Sequence, residues 1–290
     1  MLTRVQAFDR LRRNLELTGL QERTVAARHK AVRSAVAAQL DVTDDFLTGS
    51  YRRQTLIGPL KAADVDIVVV LDRAYRDRGA RAVLDAVRRA LLAEYPSTPK
   101  ISRNMHAVTV TFSDFVVDVV PAFARPWWTE GGWEICDSGS DSWIVTDPKK
   151  HVDISAAANR THKGDLVPIV KQLKAWNRTV NRPLRSFHIE VLAWSVFGTS
   201  WWWHTEMSSD WECVRHFFDK ARPKLSQQLP DPAGSGGDVG AYLNGSALQA
   251  AISKMTTAHE RCVGADEAAK AGRTQAMHDV YAHVFGSYYP

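Results

Sequence analysis

Two apolar runs in this sequence carry carboxylates at positions where a buried strand has no place for an unpaired charge. Residues 63–72, ADVDIVVVLD, form a short β-branched run that predicts a buried strand. Asp64 and Asp66 stand two apart within it, so both side chains leave the same face. Like charges at that spacing repel unless a cation sits between them. Magnesium suits such a pair, because it takes carboxylate and phosphate oxygens while keeping water. The run FVVDVV, 115–120, repeats the problem: Asp118 is flanked on both sides by valine, and an unpartnered mid-strand carboxylate is costly to bury. A neighbouring strand bearing Asp64 and Asp66 would let all three ligate metal. The competing readings are an exposed strand face for the pair and a solvated sheet edge for Asp118.

Gly49-Ser50 precedes the first run and supplies a complementary feature. Glycine permits close backbone approach, and a serine hydroxyl with adjacent N–H groups can hold a terminal phosphate. Tyr51, Arg52, Arg53 and Thr55 follow, and a cation there complements a triphosphate. Glycine-serine alone means little. Followed by DVD and, about fifty residues on, by a strand aspartate, it becomes specific.

The remaining periodicities outline two lobes. Residues 3–40 carry helical spacing, with Gly19 the expected break. RGARAVLDAVRRALLAEY, 78–95, predicts a helix closed by Pro96. HAVTVTF, 106–112, and FVVDVV flank Ser113-Asp114 as a hairpin. Beyond about residue 145 helices are expected over 150–159, 165–180, 186–198, 208–228 and 244–284, with a Gly/Pro/Asp loop at 230–240. The expected fold is α+β: a mixed-sheet catalytic lobe over 1–145, with N-terminal helices spanning both lobes, then a helical lobe over 146–290, with a cleft between.

Composition excludes several classes. No window approaches the roughly 18 apolar residues of a membrane span, and the charged N-terminus lacks a secretory core, so a cytoplasmic protein without membrane association is expected. Cys136, Cys213 and Cys262 are distant and odd in number, as reduced thiols are. Cys213 and His216 lie one helical turn apart but lack a second close pair for structural zinc. The net charge of +5 suits anionic ligands, yet the basic residues are scattered rather than gathered into a duplex-binding face. The tryptophans at 127, 128, 133, 143 and 201–203 read better as packing than as a base-binding cleft, and His188 as a packed helix histidine.

The pattern G-S-Y-R-R-Q-T, D-V-D-I-V-V-V-L, V-D-V-V-P resembles the DNA polymerase β-type nucleotidyltransferases. SWIVTDPKKH (142–151), LVPIVKQLKAWNR (166–178), LRSFHIEVLAW (184–194), DPAG (231–234) and HVFGSYYP (283–290) are similar to the cGAS/DncV-like enzymes of bacterial CBASS anti-phage systems. The resemblance implies a bilobal nucleotidyltransferase that joins NTPs, ATP among them, into a cyclic di- or trinucleotide second messenger. The alternative is a linear 2′–5′ oligonucleotide synthase or a toxin-type enzyme acting on RNA or protein. It also implies two Mg²⁺ or Mn²⁺ per site: one held by Asp64, Asp66 and Asp118, the other by Asp64, Asp66 and the triphosphate. Lys174 matches the family's triphosphate-binding lysine, with Lys171 one turn away on the same helix. Ser186 matches its phosphate-binding serine and Phe187 its base-stacking aromatic. Asn159 reads equally as a base contact and as a helix cap. The expected protein is a monomer whose product, rather than the chain itself, meets a downstream effector, and the short FGSYYP end argues against tail conjugation.

Overall fold

A computed structural model of the chain describes residues 1–97, 100–126, 128–129, 131–199, 206, 208–234 and 237–290. It opens with helices α1 (Arg4–Leu15) and α2 (Gly19–Ala37), then strand β1 (Val42–Leu47), one helical turn α3 (Gly49–Arg52), strand β2 (Asp64–Leu71) and helix α4 (Ala80–Glu94). Five strands follow: β3 (Lys100–Arg103), β4 (Val108–Thr111), β5 (Val116–Ala124), β6 (Trp133–Asp137) and β7 (Ser142–Thr146). The rest is helical: α5 (Pro148–Thr161), α6 (Leu166–Thr179), α7 (Ser186–Phe197), α8 (Asp210–Ala221), α9 (Gly245–Lys270) and α10 (Thr274–Phe285). The chain divides into a sheet unit, Leu17–Asp153, and a helical unit of Met1–Glu16 with Ile154–Pro290.

In the sheet unit the strands run in the order β1-β2-β5-β4-β3, with β6 pairing the far half of β5 and β7 outside β6. Only β2 and β5 are parallel; the other pairs are antiparallel. The period of two in ADVDIVVVLD explains the packing. Val65, Ile67, Val69 and Leu71 join Val117 and Val119 of β5 in a core with Val32 and Val36 of α2 and Leu84, Val87 and Leu91 of α4. The alternate residues, Val68, Val70 and Ala122, pack with Phe46, Val120, Trp133 and Ile135 on the opposite face. Each buried valine contributes about 1.5–3 kcal/mol, so a one-residue slip of β2, which would exchange the two faces, is strongly disfavoured.

In the helical unit, Phe8 of α1 meets Trp211, Tyr281, Phe285 and Tyr289 edge-on. Arg4 pairs with Asp266 and also reaches the Tyr281 hydroxyl, while Arg215 takes the other carboxylate oxygen. Arg12 holds Asp210 through two nitrogens and Asp165 through a third contact, and Gln172 also donates to Asp210. These contacts tie α1 to α6, α8, α9 and α10.

Several boundaries differ from expectation. The region near Gly19 does part into two helices, but the break falls at 16–18 and Gly19 is the first residue of α2; Thr18 and Gln21 form a capping box that starts the helix. The single helix expected over 244–284 is two, divided at Gly272, which adopts φ +70°. Strands β3, β6 and β7 stand where no strand was assigned, the last two carrying Trp133 and Trp143, whereas β1 ends at Leu47, where Phe46-Leu47 before Gly49-Ser50 reads as a strand-to-loop stop. The tryptophans at 127 and 201–203 lie outside the described residues.

Asp210 is buried, and Arg12 is its only arginine partner among the described residues. Arg12→Ala is therefore expected to destabilise the protein by about 2–3 kcal/mol, below the usual range for a broken buried pair because the guanidinium is partly solvated. Urea denaturation measures this; a change under about 0.5 kcal/mol, typical of a surface pair, contradicts it.

Candidate active site

The register of the parallel pair assembles the carboxylates. Asp66 of β2 lies directly beside Asp118 of β5, and Asp64 lies beside Val116. Period-two alternation puts Asp64, Asp66 and Asp118 on one sheet face, the face opposite α2 and α4. Asp118 is on an interior strand, with β2 on one side and β4 on the other, which removes the sheet-edge reading. Burial raises its pKa above the usual carboxylate range, the Thr109 hydroxyl pulls it back, and the Asp64 charge adds to the rise. The Thr109 Oγ1–Asp118 Oδ1 distance is 2.5 Å.

The chain ahead of β2 closes over Asp66. Thr48 N–H donates to the Asp66 carbonyl at 3.0 Å, and the next residue, Gly49, turns at φ +62°. A Cβ there would lie 1.7 Å from Asp66 Oδ2, so only glycine leaves room for this carboxylate. Ser50 follows, its carbonyl accepting the N–H groups of Thr55 and Leu56 at 2.9 and 3.0 Å, with the Thr55 hydroxyl at 3.4 Å. Thr55 thus braces the turn from inside, and Arg53 is buried beside it. The structure brings Gly49, Asp66 and Asp118 together, with Asp64 on the same face.

The other expected site residues belong to the helical unit. Lys171 and Lys174 are both buried on α6. Lys171 Nζ donates to Glu16 at 2.6 Å, and Lys174 Nζ to the fully buried Glu190 of α7 at 2.7 Å. Ser186 is exposed at the start of α7, and Phe187 is half-buried, edge-on to Trp194 at 6.1 Å. Asn159 Oδ1 accepts the Val167 N–H at 3.0 Å, which gives it the helix-capping geometry at the start of α6. Cys213 is buried, and among the described residues no group of three or more His, Cys, Asp or Glu side chains is arranged to hold a metal ion as it stands, Asp64, Asp66 and Asp118 included. Glu16, Glu190, Asn104 and Thr109 were not singled out from sequence. The Thr109–Asp118 pairing was nonetheless readable, because a two-residue turn at Ser113-Asp114 makes them opposite partners.

The start of α7 is braced by the loop that follows residue 229. Arg185 N–H donates to Tyr242 Oη at 2.8 Å, and Tyr242 Oη lies 3.0 Å from His188 Nδ1. The Arg185 guanidinium stacks on the Tyr242 ring at 4.3 Å. Arg185 offers no side-chain cap to α7, and the tyrosine hydroxyl accepts the N–H of Arg185 itself, just ahead of the first turn. Burial pushes the His188 pKa down to about 4, against a smaller opposing pull from Asp238.

The comparisons with known proteins are consistent with this architecture. CdnC of E. coli MS115-1, solved with ATP, superposes with a TM-score of 0.77 at 19% identity over 99% of this chain and 98% of that one. That protein is also known in complex with HORMA-deltaN. Vibrio cholerae DncV cyclic AMP-GMP synthase, holding a linear intermediate, gives a TM-score of 0.78 at 14% identity over 97% and 94% of the two chains. The fold class is thus the α+β one of these proteins, with a mixed-sheet unit and a helical unit. The cyclic AMP-AMP-AMP synthase of an Acinetobacter species is 28% identical over 206 residues. That match takes in 66% of this chain but only 58% of the relative, little more than half its length. The SMODS model, the Second Messenger Oligonucleotide or Dinucleotide Synthetase domain, matches residues 1–159, more than half the chain. The chain belongs to the SMODS family.

Two outcomes follow from this geometry. Gly49→Ala should cost about 1–2 kcal/mol through its left-handed backbone alone, and should displace Asp66 besides. Gly49→Asn eases the backbone term but keeps the collision, so a crystal structure of Gly49→Asn with Asp66 unmoved would refute the steric account. His188 titrates below its unfolded value of about 6.5, so its stabilising contribution is complete above that pH and declines as pH falls towards about 4. A shift of that size corresponds to roughly 3 kcal/mol. Replacing His188 with glutamine should flatten the urea midpoint across that window, and an unchanged slope would count against a buried neutral imidazole.

Proposed function

We propose that the chain is a metal-dependent nucleotidyltransferase that joins nucleoside triphosphates, releases pyrophosphate and makes a cyclic di- or trinucleotide second messenger for anti-phage defence. The observation that carries this reading is the register of Asp66 with Asp118, with Asp64 on the same face and Gly49 closed over Asp66. Among the described residues no lysine, arginine or histidine neutralises Asp64 or Asp118. Asp64 and Asp118 on one face suit a divalent cation, which relieves the repulsion between like charges. Magnesium or manganese binds through a few carboxylates together with substrate phosphates and water, so the bound substrate would complete the site. Asp64, Asp66 and Asp118 would hold the metal, which when bound supplies charge neutralisation and hydroxyl acidity at the reacting phosphate.

The chain's own groups supply position and selectivity. Ser50 offers its hydroxyl at the head of a turn whose backbone is fixed by Thr55 and Leu56. Lys174 and Lys171, paired with Glu190 and Glu16 in this structure, are the cations of the helical unit that would have to share their charge with a triphosphate. Ser186 contributes an exposed hydroxyl at the start of α7, and Phe187 a planar surface for a base. Such preorganised contacts, rather than covalent chemistry by the protein, carry most of the acceleration in phosphoryl and nucleotidyl transfer. Cyclisation requires the linear intermediate to be rebound with its second hydroxyl facing the remaining triphosphate. The named activities and ligands of the Acinetobacter, E. coli and Vibrio relatives support ATP as one substrate.

The test is incubation of purified protein with the four NTPs and Mg²⁺ or Mn²⁺, followed by phosphatase treatment and mass spectrometry. A cyclic product resists phosphatase because it has no terminal phosphate. Complete phosphatase sensitivity would sink the cyclic assignment; no pyrophosphate under any condition would sink nucleotidyl transfer. Asp64→Asn combined with Asp66→Asn should abolish pyrophosphate release while leaving the melting transition cooperative.

A further inference from the structure

The geometry points to Asn104 and Thr109 as positioning residues that dictate which oxygen of Asp118 faces the metal; this rests on the carboxylate reading above. Thr109 of β4 is the direct antiparallel partner of Asp118, so the two side chains share a face. Thr109 Oγ1 lies 2.5 Å from Asp118 Oδ1 and 3.0 Å from Asn104 Nδ2. The direction of this relay is fixed at its far end. Asn104 Oδ1 accepts the N–H groups of His106 and Ala107 at 3.0 and 2.8 Å. Those two donors require the oxygen of the amide, so its nitrogen turns to Thr109. The hydroxyl oxygen then receives an N–H from Asn104, and its single proton goes to Asp118 Oδ1. One lone-pair site of Oδ1 is thereby taken, and Oδ2 would be the oxygen freer to face a cation.

The relay has a rigid base. The turn that presents Asn104 is pinned to the β6–β7 hairpin: Ser138 N–H donates to the Met105 carbonyl at 2.9 Å and Ser138 Oγ to the Asn104 carbonyl at 3.3 Å. His106 Nδ1 lies 2.9 Å from the Cys136 carbonyl. Threonine itself is stiff about χ1, so its hydroxyl does not swing away from Asp118 at low cost. A merely structural hydrogen bond predicts that its loss lowers stability alone. A positioning bond predicts a loss of metal affinity and turnover as well, restored by serine, which keeps the hydroxyl.

The experiment measures Mn²⁺ binding to the full chain by electron paramagnetic resonance, alongside kcat and KM, for wild type, Thr109→Val, Thr109→Ser, Asn104→Ala and Asp118→Asn. Removal of a partner that orients a metal ligand commonly costs 10- to 100-fold, so Thr109→Val should bind Mn²⁺ about tenfold more weakly. Its kcat should fall by about the same factor with KM for NTP within about twofold. Thr109→Ser should recover to within about threefold of wild type, and Asn104→Ala, which frees the hydroxyl to rotate, should fall between. Wild-type Mn²⁺ binding and turnover in Thr109→Val, with Asp118→Asn impaired, would overturn the positioning role alone. An equal loss in the valine and serine variants would do the same. If Thr109→Val does not fold, Asn104→Ala decides: wild-type Mn²⁺ affinity there refutes the relay. Unchanged Mn²⁺ binding in Asp118→Asn would refute the carboxylate reading itself, and the relay with it.

Discussion

The pairing of β2 with β5 is the constraint from which the rest of the sheet unit follows. It is the one parallel contact in an otherwise antiparallel sheet, and it sets Asp66 beside Asp118. Because side chains alternate, that register also decides which valines enter the core against α2 and α4. Fold and candidate site therefore share one degree of freedom. A slip of one residue would turn Asp64 and Asp66 into the core against α2 and α4 and lift Val65 and Ile67 out of it, and the cost of that exchange keeps the acidic face in place. Gly49 then lets the preceding turn close on the carboxylate, where any Cβ would collide.

The helical unit treats charge differently. Its cations are matched to carboxylates: Arg4 to Asp266, Arg12 to Asp210, Lys171 to Glu16 and Lys174 to Glu190. Buried pairs of this kind repay little net stability against an apolar substitute, but loss of one partner strands the other. They make the position of α1 against α6, α8, α9 and α10 specific, and they fix the lysine charges of α6. The sheet unit, by contrast, leaves Asp64 and Asp118 without a basic partner among its described residues.

Much of this was legible in the sequence because it is local or strictly periodic. The alternation in 63–72 gave the strand, its two faces and the acidic pair, and the turn at Ser113-Asp114 gave the hairpin carrying Asp118. The long amphipathic helices were legible for the same reason. What escaped lacks such a signal. Strand β1 reads VTDDFL, of which only the Phe46-Leu47 end was marked, and β3 is four residues of mixed polarity, so their strand character comes from the neighbours they pair with. Gly19 looked like a helix breaker, but Thr18 and Gln21 cap α2 so well that the glycine sits inside it. Glu16 and Glu190 carry no local signal, and only the tertiary structure makes them partners of Lys171 and Lys174. The DPAG loop was marked by resemblance, whereas the bracing of α7 by Tyr242 depends on a contact 57 residues away.

The Lys174–Glu190 pair bears on how sequences of this kind can be read. Glu190 is fully enclosed, so a chain that lost Lys174 would lose the ammonium that pairs with a buried carboxylate, whether or not it handled nucleotides. A descendant that abandoned catalysis would still be held to the lysine by folding alone. The presence of that lysine is thus weak testimony of a living active site. Gly49 and Thr109 are more informative, since what they accommodate and orient is a carboxylate that folding by itself would gladly exchange for something apolar.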